Sequence, residues 1–207
     1  MLKIILFLVL ALVLITGAAG GFHLYRVKVR NTREMEQYSG DDVVMNRNLG
    51  RVLVVYYSLS GRTRDIAERI KAKTGADIYE IKTAEEIKAG PALYLKSKSD
   101  LKKGSYPELQ GTIPDMGGYD VVFVGSPIWW YTAATPVMAF LEKVDFKGRK
   151  VVPFSTQGSN AGTFLKDFER MAVNANLTGY QSFNNIGKEY DRAVNNKISA
   201  WLNSLTP

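Results

Sequence analysis

The run Arg51-Val52-Leu53-Val54-Val55-Tyr56-Tyr57 constrains the fold more than any other stretch of this chain. It is β-branched and aromatic throughout, too short for a stable helix, and bounded by Gly50 before it and a Ser/Gly turn after it. A strand with no polar alternation is buried on both faces, the habit of a central strand in a parallel sheet. Residues 62–73 then place Ile66, Ala67 and Ile70 on one helical face, with Asp65 early, lysines late and Gly75 as a stop. Strand, turn and helix in that order open an α/β domain.

The alternation continues down the chain. Ile78-Tyr79-Glu80-Ile81 reads as a second strand, Val121-Val122-Phe123-Val124-Gly125 as a third, Val151-Val152-Pro153-Phe154 as a fourth, and residues 177–183 as a weaker fifth. Helical spacing is expected near 135–143, at 161–173 through Phe164, Leu165, Phe168 and Met171, and at 189–204. The last of these carries Tyr190, Val194, Ile198, Trp201 and Leu205 on one apolar stripe. Five strands alternating with helices predict a doubly wound five-stranded parallel sheet, whose ligands bind beyond the carboxyl ends of the strands. The positions to inspect are the segments after strands one, three and four.

Upstream, Ile4 to Phe22 carries no charged residue and is long enough to span a bilayer as a helix. A cleaved signal peptide is the competing reading, with Lys3 as its basic start and Gly17-Ala18-Ala19 as a small-residue cleavage site. Arg26, Lys28, Arg30 and Arg33 follow the apolar run at once, which favours an anchor with its C-terminal side in the cytoplasm and contact with anionic lipid. The expected division is a transmembrane helix over 1–24, a basic and polar linker over 25–49, and the α/β domain over 50–207. Residues 31–49 are polar and mostly aperiodic and are read as a short tether.

Composition narrows the chemistry. Cysteine is absent and His23 is the one histidine, so thiolate metal sites, iron–sulfur ligation, cysteine nucleophiles and Ser/His pairs have no candidate residues. Chemistry in such a chain belongs to a cofactor. The formal charge is +7, most of it beyond residue 50, but the basic residues are scattered and no recognition motif accompanies them, so nucleic acid is not expected as a partner.

The three strand-end segments each carry turn chemistry. Ser58-Leu59-Ser60-Gly61-Arg62-Thr63 gathers hydroxyls and backbone amides at a helix start, where a phosphate is favoured; a plain helix cap uses the same residue types. Ser126-Pro127-Ile128-Trp129-Trp130-Tyr131-Thr132 sets three aromatics side by side, a surface suited to a flat ring system or to loop packing. Ser155-Thr156-Gln157-Gly158-Ser159-Asn160 is a small polar turn able to present amides. The phosphate loop of nucleotide hydrolases and the three-glycine dinucleotide fingerprint are both missing.

These motifs give residues 51–205 a resemblance to the flavodoxin family, in particular its branch with a Tyr-Tyr-Ser-Leu-Ser-Gly-x-Thr first loop and a Gly-x-Pro-Ile-Trp-Trp second loop. The resemblance implies strand order 2-1-3-4-5 and noncovalent flavin mononucleotide (FMN). It assigns the phosphate to Ser58, Leu59, Ser60, Gly61, Arg62 and Thr63. The isoalloxazine ring falls to Pro127, Ile128, Trp129, Trp130 and Tyr131, with Trp130 stacked on it, and the ring's polar edge to Thr156, Gly158 and Ser159. Two departures stand out: many members are acidic whereas this domain is basic, and residues 155–163 lack the aromatic that covers the ring's second face in another branch.

The resulting expectation is an electron carrier tethered to a membrane, taking electrons from a reductase and passing them to a membrane-associated acceptor. An FMN-dependent NAD(P)H:quinone or nitro-compound oxidoreductase is the alternative, and an anchored interaction module without flavin a third. Residues 84–118, with Lys96, Lys98, Lys102 and Lys103, form a long connection that either covers the ring site, meets a partner, or is a solvated helix and loop.

Overall fold

The computed structural model describes residues 2–184 and 187–205. Its regular elements, in chain order, are α1 (Leu2–Glu36), β1 (Val52–Tyr56), α2 (Arg62–Thr74), β2 (Asp77–Glu80), β3 (Lys82–Thr83), α3 (Pro91–Lys103), β4 (Leu109–Gln110) and β5 (Val121–Trp129). They continue with β6 (Thr132–Ala133), α4 (Thr135–Lys143), β7 (Lys150–Gln157), α5 (Phe164–Met171), β8 (Asn176–Leu177), β9 (Gln181–Asn184) and α6 (Asp191–Ser204).

All five residues of β1 are buried, and the strand pairs in parallel with β2 on one side and β5 on the other. β5 pairs with β7, and β7 with both β8 and β9, again in parallel. The order β2-β1-β5-β7-β8/β9 is the doubly wound 2-1-3-4-5 arrangement, with its fifth position split in two. The split falls at Thr178–Tyr180, where Gly179 takes φ 61° and the Trp201 indole N–H donates to its carbonyl. A Cβ at Gly179 would stand 2.2 Å from Leu205 Cδ2, so the close approach of the strand to α6 needs glycine there.

The sheet separates two cores. Val52, Val54 and Tyr56 face α2 and α6, meeting Ile66, Ile70, Ile198 and Trp201. Leu53, Val55 and Tyr57 face α4 and α5, meeting Val137, Phe140, Phe164 and Phe168. Burial of this many aliphatic and aromatic side chains, each contributing about 1.5–3 kcal/mol, is the main stabilising term.

Several boundaries differ from the sequence expectation. β5 continues to Trp129 and β7 to Gln157, so Ser126–Trp129 and Ser155–Gln157 are strand rather than loop. The 84–118 segment holds α3 and half of a two-stranded antiparallel ribbon, β3 with β4. Pro91 at the first turn and Gly104 in the left-handed conformation at the end delimit α3.

The largest difference lies upstream. α1 does not stop near residue 24 but runs unbroken to Glu36, the sole described helix long and apolar enough to cross a membrane. Asn31 and Met35 on it are buried, and Met35 joins the core between the sheet and α6. Residues 38–46, expected as a loose tether, lie along α6. Asn196 Nδ2 donates to the carbonyls of Tyr38 and Asp41, and Val43 N donates back to Asn196 Oδ1 at 2.9 Å. Two turns on, Asn203 Oδ1 accepts from Asn46 N while its Nδ2 donates to Val44 O. A polar extended segment offers no hydrophobic period; side-chain amides from a distant helix pair its backbone instead.

Asn196→Ala removes the Asn196 bonds to Tyr38, Asp41 and Val43 and leaves part-buried backbone groups unpaired. It is expected to lower stability by about 2 kcal/mol in urea unfolding and to open residues 38–46 to limited proteolysis. An unchanged unfolding midpoint and digestion pattern would contradict this role.

Candidate functional site

The parallel register brings the ends of β1, β5 and β7 to one edge, since Tyr56 lies opposite Gly125 and Gly125 opposite Phe154. After β1 the chain turns at Gly61, which has φ 86° and opens α2 with no side-chain cap. The first amides of a helix have no intrahelical partners and carry its positive end. Beside them Ser58 Oγ is buried without a hydrogen-bond partner. A Cβ built on Gly61 meets nothing within 4 Å, so space lies open in front of the turn. Thr63 and Thr156 hydroxyls meet at 2.8 Å in the interior and tie the first segment to the third.

The second segment is a tight hairpin rather than a loop, with Ile128 and Trp129 paired to Ala133 and Thr132. Trp130 and Tyr131 form its turn with φ 52° and 66°, a left-handed pair ordinarily filled by Asn-Gly. Bulky residues held there store on the order of 1–3 kcal/mol each, and such strain concentrates at functional sites. Two features hold the turn. Gly162 lies so close to Tyr131 that a Cβ would sit 2.2 Å from its carbonyl oxygen, and Thr163 N donates to that same oxygen at 2.7 Å.

Asp167 Oδ2 accepts from Thr132 at 2.7 Å and Thr163 at 2.6 Å, anchoring the hairpin to α5. Partial burial pushes the Asp167 carboxyl up, but the two threonine hydroxyls and the Arg170 charge outweigh it and hold the carboxyl below its ordinary value.

Trp129 meets Tyr57 edge-on at 5.7 Å. Burial and the Glu80 charge push the Tyr57 phenol up to about 12, so it stays protonated. Trp130, expected to offer a bare face, instead packs on Tyr94 of α3 with centroids 4.0 Å apart and donates to Ser97 Oγ. The Lys98 ammonium sits 4.7 Å from the same indole. Thus α3 turns the expected single indole into a two-ring aromatic wall.

In the third segment Gly158 and Ser159 follow β7 as expected, while Thr156 is buried within the strand. Gln157, not singled out from sequence, is also buried, and Ser155 donates to its Oε1 at 2.9 Å. Tyr180 completes that chain through Ser155, its phenol pushed up by burial.

Two adjoining clefts result. One of about 690 Å³ is lined by Leu59, Tyr94, Trp129, Trp130, Tyr131 and Gln157. The other, of about 460 Å³, is lined by Ser60, Gly61, Arg62, Thr156 and Asn184. Leu59 and Ser60, like Gln157 and Thr156, are consecutive residues on opposite sides of the boundary. No cluster of His, Asp and Glu able to hold a metal occurs among the described residues. Tyr94, Ser97 and Gln157 were missed; the Gly90-Pro91 start and Gly104 stop were the available signals for the helix that carries the first two.

This is an open parallel α/β domain whose ligand edge joins an anion-receiving turn to an aromatic cleft. The chain belongs to the flavodoxin family, whose sequence model matches residues 51–204. Among solved structures it is similar to a Lactobacillus acidophilus flavoprotein in complex with FMN, at 27% identity and TM-score 0.57, covering 64% of this chain and 93% of that one. A candidate flavoprotein of Bacteroides uniformis matches at 26% identity and TM-score 0.61, covering 73% of this chain and 97% of that one. One of Bacteroides eggerthii matches at 29% and 0.57, covering 74% and 96%. No curated protein matched.

The residues present fit FMN. Ser58 Oγ lacks a partner, the first amides of α2 are uncapped, and Gly61 leaves room, as a phosphate requires; the adjoining aromatic walls suit a flat ring.

Asp167→Asn is expected to lower stability at neutral pH by about 1–2 kcal/mol. Because the folded-state pKa is depressed, the carboxylate's contribution is complete above 3.8 and disappears as pH falls through the lower folded value. Melting temperatures measured from pH 7 down to pH 2 should therefore fall less steeply at the acid end in the variant; parallel curves would contradict it.

Proposed function

We propose that the protein is a membrane-tethered electron carrier that uses noncovalently bound FMN. The observation that carries this reading is the buried Ser58 hydroxyl without a partner beside the uncapped start of α2, joined through Thr63 and Thr156 to an aromatic cleft. Bound FMN supplies one- and two-electron transfer chemistry. Ser58, Ser60, Thr63 and the amides after Gly61 hold its phosphate, with Arg62 adding positive charge at the mouth. Trp129 and the Trp130–Tyr94 pair flank the ring, and Gly158 and Ser159 offer amides to its polar edge. Gln157, held by Ser155, lines the same cleft.

The tether follows from α1. Its apolar part, exposed on all sides from Ile4 to Ile15 apart from Ala11, suits a lipid surrounding. Arg26, Lys28, Arg30 and Arg33 keep the domain on the cytoplasmic side, and Arg26, Lys28 and Arg33 rest against anionic headgroups. A reductase then supplies electrons, and an acceptor at the same membrane receives them.

Gly61→Ala forces a side chain into a left-handed backbone at a cost of about 1–2 kcal/mol. It is expected to weaken FMN binding about tenfold in a fluorescence-quenching titration. Purified protein that takes up no FMN at micromolar concentrations would overturn the reading. Oxidation of NAD(P)H by the flavin-loaded protein alone, with a quinone and no added reductase, would reassign it as an oxidoreductase.

A further inference from the structure

The family match begins at residue 51, yet α1 lines both clefts of the site. His23, Leu24 and Val27 border the aromatic cleft, and two turns further on Met35 borders the phosphate cleft. Val27, Asn31 and Met35 stand four residues apart and share one helix face. That face is fastened down at three points. The Arg30 guanidinium donates to Ser159 O in the third segment, and Thr32 and Tyr190 hydroxyls meet at 3.2 Å. Glu34 receives Lys197, which is almost fully buried, and also Asn184 Nδ2 at 3.2 Å.

Between Val27 and Met35 on this face, and on the lining of neither cleft, stands Asn31, 6% exposed, with its Oδ1 buried and unpartnered. Asn184, which lines the phosphate cleft and gives its Nδ2 to Glu34, likewise leaves its Oδ1 unpartnered. A buried acceptor without a donor is destabilising unless a ligand supplies the donor. The chain that links ring and phosphate in FMN carries hydroxyl donors.

We propose that the anchor helix is itself part of the cofactor site: α1 closes over both clefts, and Asn31 Oδ1 accepts a hydrogen bond from a hydroxyl of the bound FMN. The inference rests on the FMN reading and adds to it a wall and an acceptor that the family segment does not contain. Cofactor and anchor are then linked by mass action, each strengthening the other's hold on the domain.

The test uses full-length protein in phosphatidylcholine nanodiscs and has two readouts: the FMN dissociation constant by fluorescence quenching, and the melting temperature without FMN. Asn31→Leu keeps the side chain's size but removes the acceptor. It is expected to weaken FMN binding about tenfold while leaving the flavin-free melting temperature unchanged or raised. Arg30→Gln, on an exposed side chain, is expected to weaken binding severalfold, whereas Lys28→Gln, outside both clefts, is expected to leave it unchanged.

Unchanged affinity in both Asn31→Leu and Arg30→Gln would overturn the proposal. So would a loss of affinity in Asn31→Leu accompanied by a matching fall in flavin-free stability, which is the signature of packing alone. Wild-type protein that fails to bind FMN would overturn the underlying reading and this inference together; wild-type binding with indifferent variants overturns this one alone.

Discussion

The parallel pairing of β1 with β5 and of β5 with β7 is the constraint from which the rest follows. Its register leaves three carboxyl ends at one edge, and every backbone group beyond that edge must find a new partner. Most do: Tyr57 N donates to Gly125 O, Ala134 N to Pro127 O, and the Thr63–Thr156 hydroxyl pair closes the gap between. The first amides of α2 and the Ser58 hydroxyl do not. Unmet donors gathered where strands end are how a doubly wound sheet makes room for an anionic ligand. The domain's core is therefore a scaffold for an edge that the protein alone leaves incomplete.

The opposite side of the site depends on α6. Its inner face packs Ile198 and Trp201 against the sheet, while Asn196, Lys197 and Asn203 reach outward to the chain arriving from α1. Burial lowers the tendency of Lys197 to stay charged, and Glu34 opposes that shift, so each residue gives the other a reason to be buried. Removing one partner of such a pair leaves an uncompensated charge, which makes the junction between α1 and the domain specific in register. A helix continuous from its apolar part to Glu36, fixed in this way, holds the domain in one orientation instead of letting it swing.

Much of this was legible from sequence where the local pattern and the tertiary environment agree. The β1 run, the Ser58–Thr63 segment and α4 over Thr135–Lys143 fall where periodicity and turn chemistry place them. Legibility failed where distant partners override local signals. Pro127 and the residues beyond Ser126 read as a turn, yet pairing with β7 keeps them extended up to Thr156. Trp130 and Tyr131 have no local preference for left-handed backbone; Gly162 and Thr163, some thirty residues later, impose it. Tyr94, which packs on Trp130, left no mark in the sequence because α3 has little apolar periodicity of its own. Residues 38–46, within the 31–49 stretch read as a tether, gave no pattern because the amides of Asn196 and Asn203 replace the hydrophobic contacts a sequence pattern would reveal.

If three strand ends and α1 together form one FMN site, both must respond when the cofactor binds. Adding one equivalent of FMN to isotope-labelled full-length protein in nanodiscs and following backbone amide shifts tests it directly. Large shifts are expected at residues 58–63, 129–131 and 157–159 and along 24–35 of α1, with little change in residues 38–46. Shifts confined to other surfaces, or a domain response with α1 silent, would contradict it.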